Sequence, residues 1–119
     1  MDSASNTSRF EISRLAKLAP VDCPCGQSRR AFVEDADGAA SMHLVEISLD
    51  AQAHYHKQMT EIYYVLEGTG EIELDGERHP VSPGDAILIK PGCRHRAIGA
   101  LRILNTAIPA FDPADEWFD

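Results

Sequence analysis

His54, His56, Glu61 and His95 are the residues whose types and spacing point to chemistry. They form a His-x-His pair, a glutamate after four intervening residues, and a further histidine beyond a glycine-rich turn. Side chains on an extended chain alternate faces with a period of two, so two imidazoles one residue apart point the same way only on a β-strand. By that period Glu61 and Tyr63 share the inward face of the next strand, and His95 enters from the turn after Gly92. Imidazole nitrogens with a carboxylate oxygen suit a first-row divalent ion, and three His plus one Glu leave open positions for water or substrate on a five- or six-coordinate metal. The competing reading is a metal-free interior whose histidines are satisfied by hydrogen bonds. The convergence of all four groups on one interior favours the metal.

Tyr63 is the nearest catalytic candidate. A phenol beside a cation can donate a hydrogen bond to a bound oxyanion or, as phenolate, remove a proton; the alternative is a plain wall residue. His43 shares a face with Val45, Ile47 and Leu49, and is either a pocket-lining acid or base or a histidine bound to a wall carbonyl. Met59, two residues before Glu61, is a candidate substrate contact. Lys57, Lys90, Arg94 and Arg96 are candidates for capturing a carboxylate or phosphate. Arg94 and Arg96 flank inward His95 and are expected to point out, which leaves Lys90 at the rim. Tyr55 and Tyr64 are expected to face outward, and His79 to lie on the surface.

These groups need elements to hold them, and the pattern is of short strands. Arg29 to Glu34 and Met42 to Leu49 read as strands separated by the turn Asp35-Ala36-Asp37-Gly38. Tyr63 to Leu66 and the alternating Glu71 to Asp75 follow, and Asp75-Gly76 suits a type I′ hairpin because both residues tolerate positive φ. Ala86 to Ile89 and Leu101 to Ile108 complete the set, while Phe10 to Leu18 is ambiguous between a strand and one helical turn. Strands every 8 to 12 residues with Gly and Pro between them indicate an all-β sandwich or barrel. Residues 1–9 are polar and small and are expected to be a flexible N-terminus, leaving 10–119 as one domain. Its tail carries Phe111, Trp117 and Phe118, which are expected to pack across the barrel or a neighbouring subunit.

The chain has 119 residues with 11 basic and 19 acidic groups, a formal net charge of −8. Clustered Lys and Arg are missing, so nucleic acid and anionic membrane are poor partners. There is no apolar run of spanning length, and a soluble, cytoplasmic protein is expected. Cys23, Cys25 and Cys93 are few and odd in number, which argues for reduced thiols: the first two shaping a bend with Pro24 and Gly26, the third a small filler in a turn.

From Ser48 to Gly68 the chain resembles the first motif of the cupin family, a Gly, five residues, His-x-His, three or four residues, Glu, six residues, Gly. His54, His56, Glu61 and Gly68 fit it, with Ser48 where the first Gly is usual. From Gly84 to Gly99 it resembles the second motif, Gly, five residues, Pro-x-Gly, two residues, His, three residues, Asn. Gly84, Gly92 and His95 fit, with Lys90 in place of the Pro and Gly99 in place of the Asn. The resemblance implies a conical double-stranded β-helix of the jelly-roll type, one divalent ion per chain (Fe, Mn, Ni or Zn) held by His54, His56, Glu61 and His95, and frequently a homodimer. It does not imply one reaction. The leading expectation is a metal-dependent enzyme acting on a small polar molecule, with dioxygenase, isomerase and lyase types all open. The alternative is a non-catalytic module that binds a sugar or organic acid as a sensor or carrier.

Overall fold

A computed structural model describes residues 9–23, 25–48 and 51–119. The expected flexible start falls mainly on residues 1–8, and Leu49 and Pro24 also lie outside the described residues. Among the described residues nine strands follow in order: β1 Val21–Cys23, β2 Gly26–Ala31, β3 Ser41–Ile47, β4 Thr60–Gly68, β5 Gly70–Leu74, β6 Glu77–Val81, β7 Ala86–Ile89, β8 His95–Ile98 and β9 Leu101–Ile108. Six of them form an antiparallel sheet in the order β1-β2-β3-β9-β4-β7, and three form a second in the order β6-β5-β8.

Alternation builds the interior as expected. In β4 Glu61, Tyr63 and Val65 are buried while Ile62 and Tyr64 are exposed, and in β9 Leu101, Ile103, Asn105 and Ala107 turn inward. The aliphatic part of the core, Val45, Ile47, Val65, Ile72, Val81, Ile89, Leu101 and Ile103, closes the space between the two sheets. Each such side chain contributes about 1.5–3 kcal/mol relative to exposure. On the outer face Ile62 pairs with Leu88, and these two with Tyr64 form an exposed apolar patch.

Several boundaries differ from expectation for identifiable reasons. The strand read over Arg29 to Glu34 is Gly26–Ala31, because Phe32 takes a left-handed φ of 68° and ends it. Phe10 to Leu18 contains a single 3₁₀ turn, Leu15–Lys17, whose carbonyl neighbours Ala16 and Leu18 are held by Arg29. His79 lies on β6, exposed as expected. Asp75 and Gly76 do take positive φ, 49° and 87°, as a type I′ hairpin requires. The reduced-thiol expectation is corrected at one place: Cys23 and Cys25 are joined by a disulfide at the β1–β2 turn. Their Cα atoms are brought to 5.1 Å there, within ordinary bridging range. Cys93 is a free thiol.

Two cross-strand rows prepare the site. Arg30, His43, Asn105 and Tyr63 are successive register partners across β2, β3, β9 and β4. One step along the strands, Ser41, Ala107, Glu61 and Ile89 form the next row across β3, β9, β4 and β7. Because neighbouring strands lie about 4.8 Å apart, the first row is a polar ribbon some 15 Å wide along the interior wall.

Candidate metal centre

The segment carrying His54 and His56 is extended but belongs to none of the nine strands, which refines the expected strand carrier. His54 pairs with His95 through two backbone hydrogen bonds of 3.0 and 2.8 Å, and Tyr55 pairs with Trp117 through two more of 2.9 and 3.0 Å. A further bond, from the Gly92 N–H to the His56 carbonyl at 2.7 Å, ties in the turn before β8. The segment is therefore a short bridge between β8 and the C-terminal tail. Alternation holds along it: His54 and His56 are buried and Tyr55 faces outward, its hydroxyl donating to Asp119.

Four side chains converge on one point. One ligand atom from each of His54, His56, Glu61 and His95 lies within 4.8 Å of all the others, and all four residues are at most 5% exposed. The carbonyls around them fix which nitrogens face inward. His54 Nδ1 donates to the Gln52 carbonyl at 3.0 Å and His95 Nδ1 to the Cys93 carbonyl at 2.8 Å, since a carbonyl can only accept. Nε2 of each ring is left as a lone pair directed at the cluster. Glu61 is steered in the same way: Asn105 Nδ2 donates to its Oε2 at 2.6 Å, leaving Oε1 free.

Oε1 of Glu61 stands 3.0 Å from His95 Nε2 and 3.4 Å from His56 Nδ1, yet it makes no aligned hydrogen bond, and neither do His95 Nε2 and His56 Nε2. A carboxylate oxygen facing an imidazole lone pair in a buried site requires a cation between them, a proton or a metal ion. The donor set of three imidazoles and a carboxylate, with the His54 and His95 rings oriented by carbonyls outside the cluster, fits a divalent first-row ion.

Burial, the largest effect, holds His54 at a pKa of about 4, assisted by the charge of His95; it also holds His56 below its ordinary value against the pull of Glu61. These rings are neutral at pH 7 and ready to donate lone pairs. Burial works to raise Glu61, but the closeness of His95, then that of His56, and the Asn105 hydrogen bond together bring it to about 2. Burial and then the Arg30 charge hold His43 at about 4 as well.

This sets a pH dependence for the metal-free protein. The unfolded chain protonates His43 and His54 near pH 6.5 and the folded chain only near 4, so stability is complete above 6.5 and is lost as pH falls toward 4. Each ring accounts for about 2 kcal/mol by pH 5. Thermal midpoints of metal-free protein should therefore fall between pH 7 and 4.5, and His43→Gln should flatten part of that slope. A midpoint constant over this range would show that these rings titrate normally.

A cavity of about 40 Å³ opens beside the cluster, walled among others by Arg30, His43, His54, Glu61, Tyr63 and Asn105. The structure thus brings Tyr63 and His43 to a space that His54 and Glu61 also line. Tyr63 is 8% exposed with its ring 6.0 Å from that of His95, and burial first, then the charges of Glu61 and Glu116, push its phenol well above its usual 10. His43 Nε2 lies 2.7 Å from Ser41 Oγ, so its partner is a hydroxyl instead of the expected wall carbonyl. Met59 is buried at 1% but is absent from the cavity lining, and Lys90 is exposed at a turn. Arg96 corrects the expectation that it points out: its guanidinium is 3.2 Å from Glu73 while part of it reaches the cavity wall.

Residues from the tail and from β2 complete the surroundings. Asp115 accepts the backbone N–H groups of Lys57, Gln58 and Met59 at 2.9–3.1 Å and faces Trp117 Nε1 at 3.3 Å, clamping the chain just after His56. Burial works to raise the Asp115 carboxyl, but these N–H groups hold it below its ordinary value. Glu116 brings Oε2 to 3.8 Å from His54 Nε2. Asn105 was legible by alternation, as a polar inward position in an apolar strand. Arg30, Asp115 and Glu116 carried no comparable signal.

Residues 41–101 match the Cupin domain family, just over half of the chain. The chain is a cupin. A crystal structure of a protein from Planctomyces limnophilus is 42% identical, and the alignment covers 96% of this cupin and 100% of that chain with a TM-score of 0.84. A Streptomyces nucleoside dehydratase is 21% identical over 92% of this cupin and 89% of its own chain, with a TM-score of 0.78, a likeness of fold. A protein of Methanocaldococcus jannaschii is 37% identical over an alignment of 76 residues that covers 60% of this cupin and 61% of that relative, so the match spans less than two thirds of its length. The expected jelly-roll barrel is therefore the fold. Gly99, where the second cupin motif has Asn, sits at φ 101°, a left-handed conformation that glycine adopts freely and asparagine tolerates better than most residues.

Proposed function

We propose that this cupin holds one divalent metal ion on His54, His56, Glu61 and His95 and is a metal-dependent enzyme acting on a small polar molecule. The observation that carries this reading is the buried Glu61 Oε1 and His95 Nε2 pair, 3.0 Å apart and unbonded, beside a cavity that also receives Tyr63 and His43. Bound there, the ion would supply Lewis acidity to a substrate oxygen. The chain's own residues provide the rest. Tyr63, held as a neutral phenol by burial, is a hydrogen-bond donor toward the cavity. His43, a neutral imidazole at pH 7 tethered to Ser41, is a proton acceptor. The apolar wall of Val45, Ile47 and Ile103 limits the water that reaches these groups.

Turnover separates an enzyme from a binding module. Protein loaded with Fe(II), Mn or Ni should convert at least one member of a panel of sugars, keto acids and hydroxy acids. His56→Ala should abolish that activity, and His79→Ala, on the exposed face of β6, should leave it intact. Ligand-induced thermal shifts with no product, aerobically or anaerobically, would instead identify a module that holds a sugar or organic acid without changing it.

A further inference from the structure

We propose that Arg30 is a carboxylate anchor, so that this cupin takes a small organic acid whose carboxylate pairs with the Arg30 guanidinium while its other polar end reaches the His54, His56, Glu61 and His95 cluster. The second half of this statement rests on the metal-centre reading above; the first half stands on Arg30 alone.

The guanidinium is built into the cavity wall. Its Nε donates to Ser28 Oγ at 2.9 Å, and Ser28 is itself 2% exposed. Its carbon stands 4.6 Å from the centroid of the Phe111 ring, whose other neighbour is His43 at 5.6 Å. Phe111 is fixed in turn by its N–H, which donates to Ser41 Oγ at 2.9 Å. A side chain held at Nε and on one face of its plane presents its two terminal nitrogens as a rigid fork, the geometry that matches a planar carboxylate.

Charge selects the same ligand. The other cavity arginine, Arg96, is matched by Glu73 at 3.2 Å, and Arg102 by Glu67 at 3.3 Å. Among the described residues no carboxylate lies within 4.0 Å of Arg30; Glu116 acts on it only from farther away. One unmatched guanidinium calls for one negative charge. Among the described residues no second unmatched arginine or lysine lines the cavity to meet the further charge that a phosphate dianion would bring toward Glu116.

Size follows from register. Arg30 and Asn105 are two strand spacings apart, about 10 Å, and Asn105 touches Glu61. With a cavity of about 40 Å³, room for a few waters, the ligand between anchor and cluster is an acid of a few carbons.

The test is calorimetric titration of 4-hydroxybutyrate, its uncharged counterpart 1,4-butanediol, and 3-hydroxypropyl phosphate. Each is titrated into wild type, Arg30→Gln and Arg30→Lys, both zinc-loaded and metal-free. Wild type should prefer the acid over the diol by about tenfold or more, the difference expected of a charge-assisted pair. That preference should persist without metal, so that failure of the metal reading would not hide it. Arg30→Gln should lose the preference with zinc content unchanged, and Arg30→Lys, which keeps the charge and loses the fork, should keep only part of it. Equal affinity for acid and diol in wild type would overturn the anchor. So would an Arg30→Gln protein that melts earlier but still prefers the acid, since Arg30 would then serve only to pack Phe111. Tighter binding of the phosphate would overturn the choice of carboxylate. If Arg30→Gln does not fold, a full preference retained by Arg30→Lys overturns the fork.

Discussion

Alanine in place of His95 is expected to cut divalent-ion affinity by well over the roughly 100-fold that loss of a supporting residue costs. His95 is the ligand candidate most tightly built in. Its backbone pairs with His54, its Nδ1 is committed to the Cys93 carbonyl, and its Nε2 faces Glu61 Oε1 at 3.0 Å. Removal takes away a donor and also the group that helps keep the Glu61 pKa low. Asn105→Ala removes no donor and frees only Glu61 Oε2, so it should fall within the roughly 10–100-fold range of a supporting residue. Competition against a chromophoric chelator measures all three proteins on one scale. If His95→Ala bound as tightly as wild type, His95 would be no ligand; if Asn105→Ala lost as much as His95→Ala, the division of roles between them would be wrong.

Asp115→Ala should destabilise the fold by about 3 kcal/mol, roughly 10 °C in thermal midpoint for a domain of this size. One carboxylate serves three consecutive backbone N–H groups, those of Lys57, Gln58 and Met59, and Met59 is 1% exposed. Alanine would leave these donors without an acceptor, and a buried donor left so costs more than the bond was worth. The loss propagates to the site because the clamped residues directly follow His56. The tail bearing Asp115 is also joined to Tyr55 by two backbone bonds and stacks Trp117 under the Lys57 ammonium at 3.7 Å. Metal affinity should therefore weaken alongside stability, although Asp115 touches no ion. Asp115→Asn, which keeps one acceptor oxygen, should recover part of both. An Asp115→Ala protein with wild-type melting would show that water replaces the carboxylate at no cost.

The parts of this cupin legible in its sequence are those governed by a fixed period. Alternation places Glu61, Tyr63 and Val65 inside β4 and Tyr64 outside, and puts His54 and His56 on one side of Tyr55, as the structure has them. Tight turns were equally readable where φ must be positive, as at Asp75-Gly76. What could not be read depends on contacts between residues far apart in the chain. Arg30 sits opposite His43 only because β2 begins at Gly26 and stops at Phe32, whose left-handed φ is unusual for an aromatic residue and has no sequence signature. Asp115 is one of four acids in the last eight residues, and only the tail's return across Tyr55 turns it into a backbone cap 56–58 residues away. The same return carries Glu116 to His54. Arg96 kept to the strand period, yet a side chain of that length reaches both Glu73 and the cavity wall. The Cys23–Cys25 bridge has no signature in an odd, small number of cysteines, which argues only statistically; it is the hairpin that brings these two together.

Metal content shows whether the four convergent side chains hold an ion. Protein purified without a histidine tag, analysed for its elements as isolated and again after reconstitution with Fe(II), Mn, Ni and Zn, should contain about one divalent ion per chain. The His95→Ala protein, handled identically, should contain almost none. Near-zero content in wild type that no reconstitution raises would mean that a proton, instead of a metal ion, lies between Glu61 and His95.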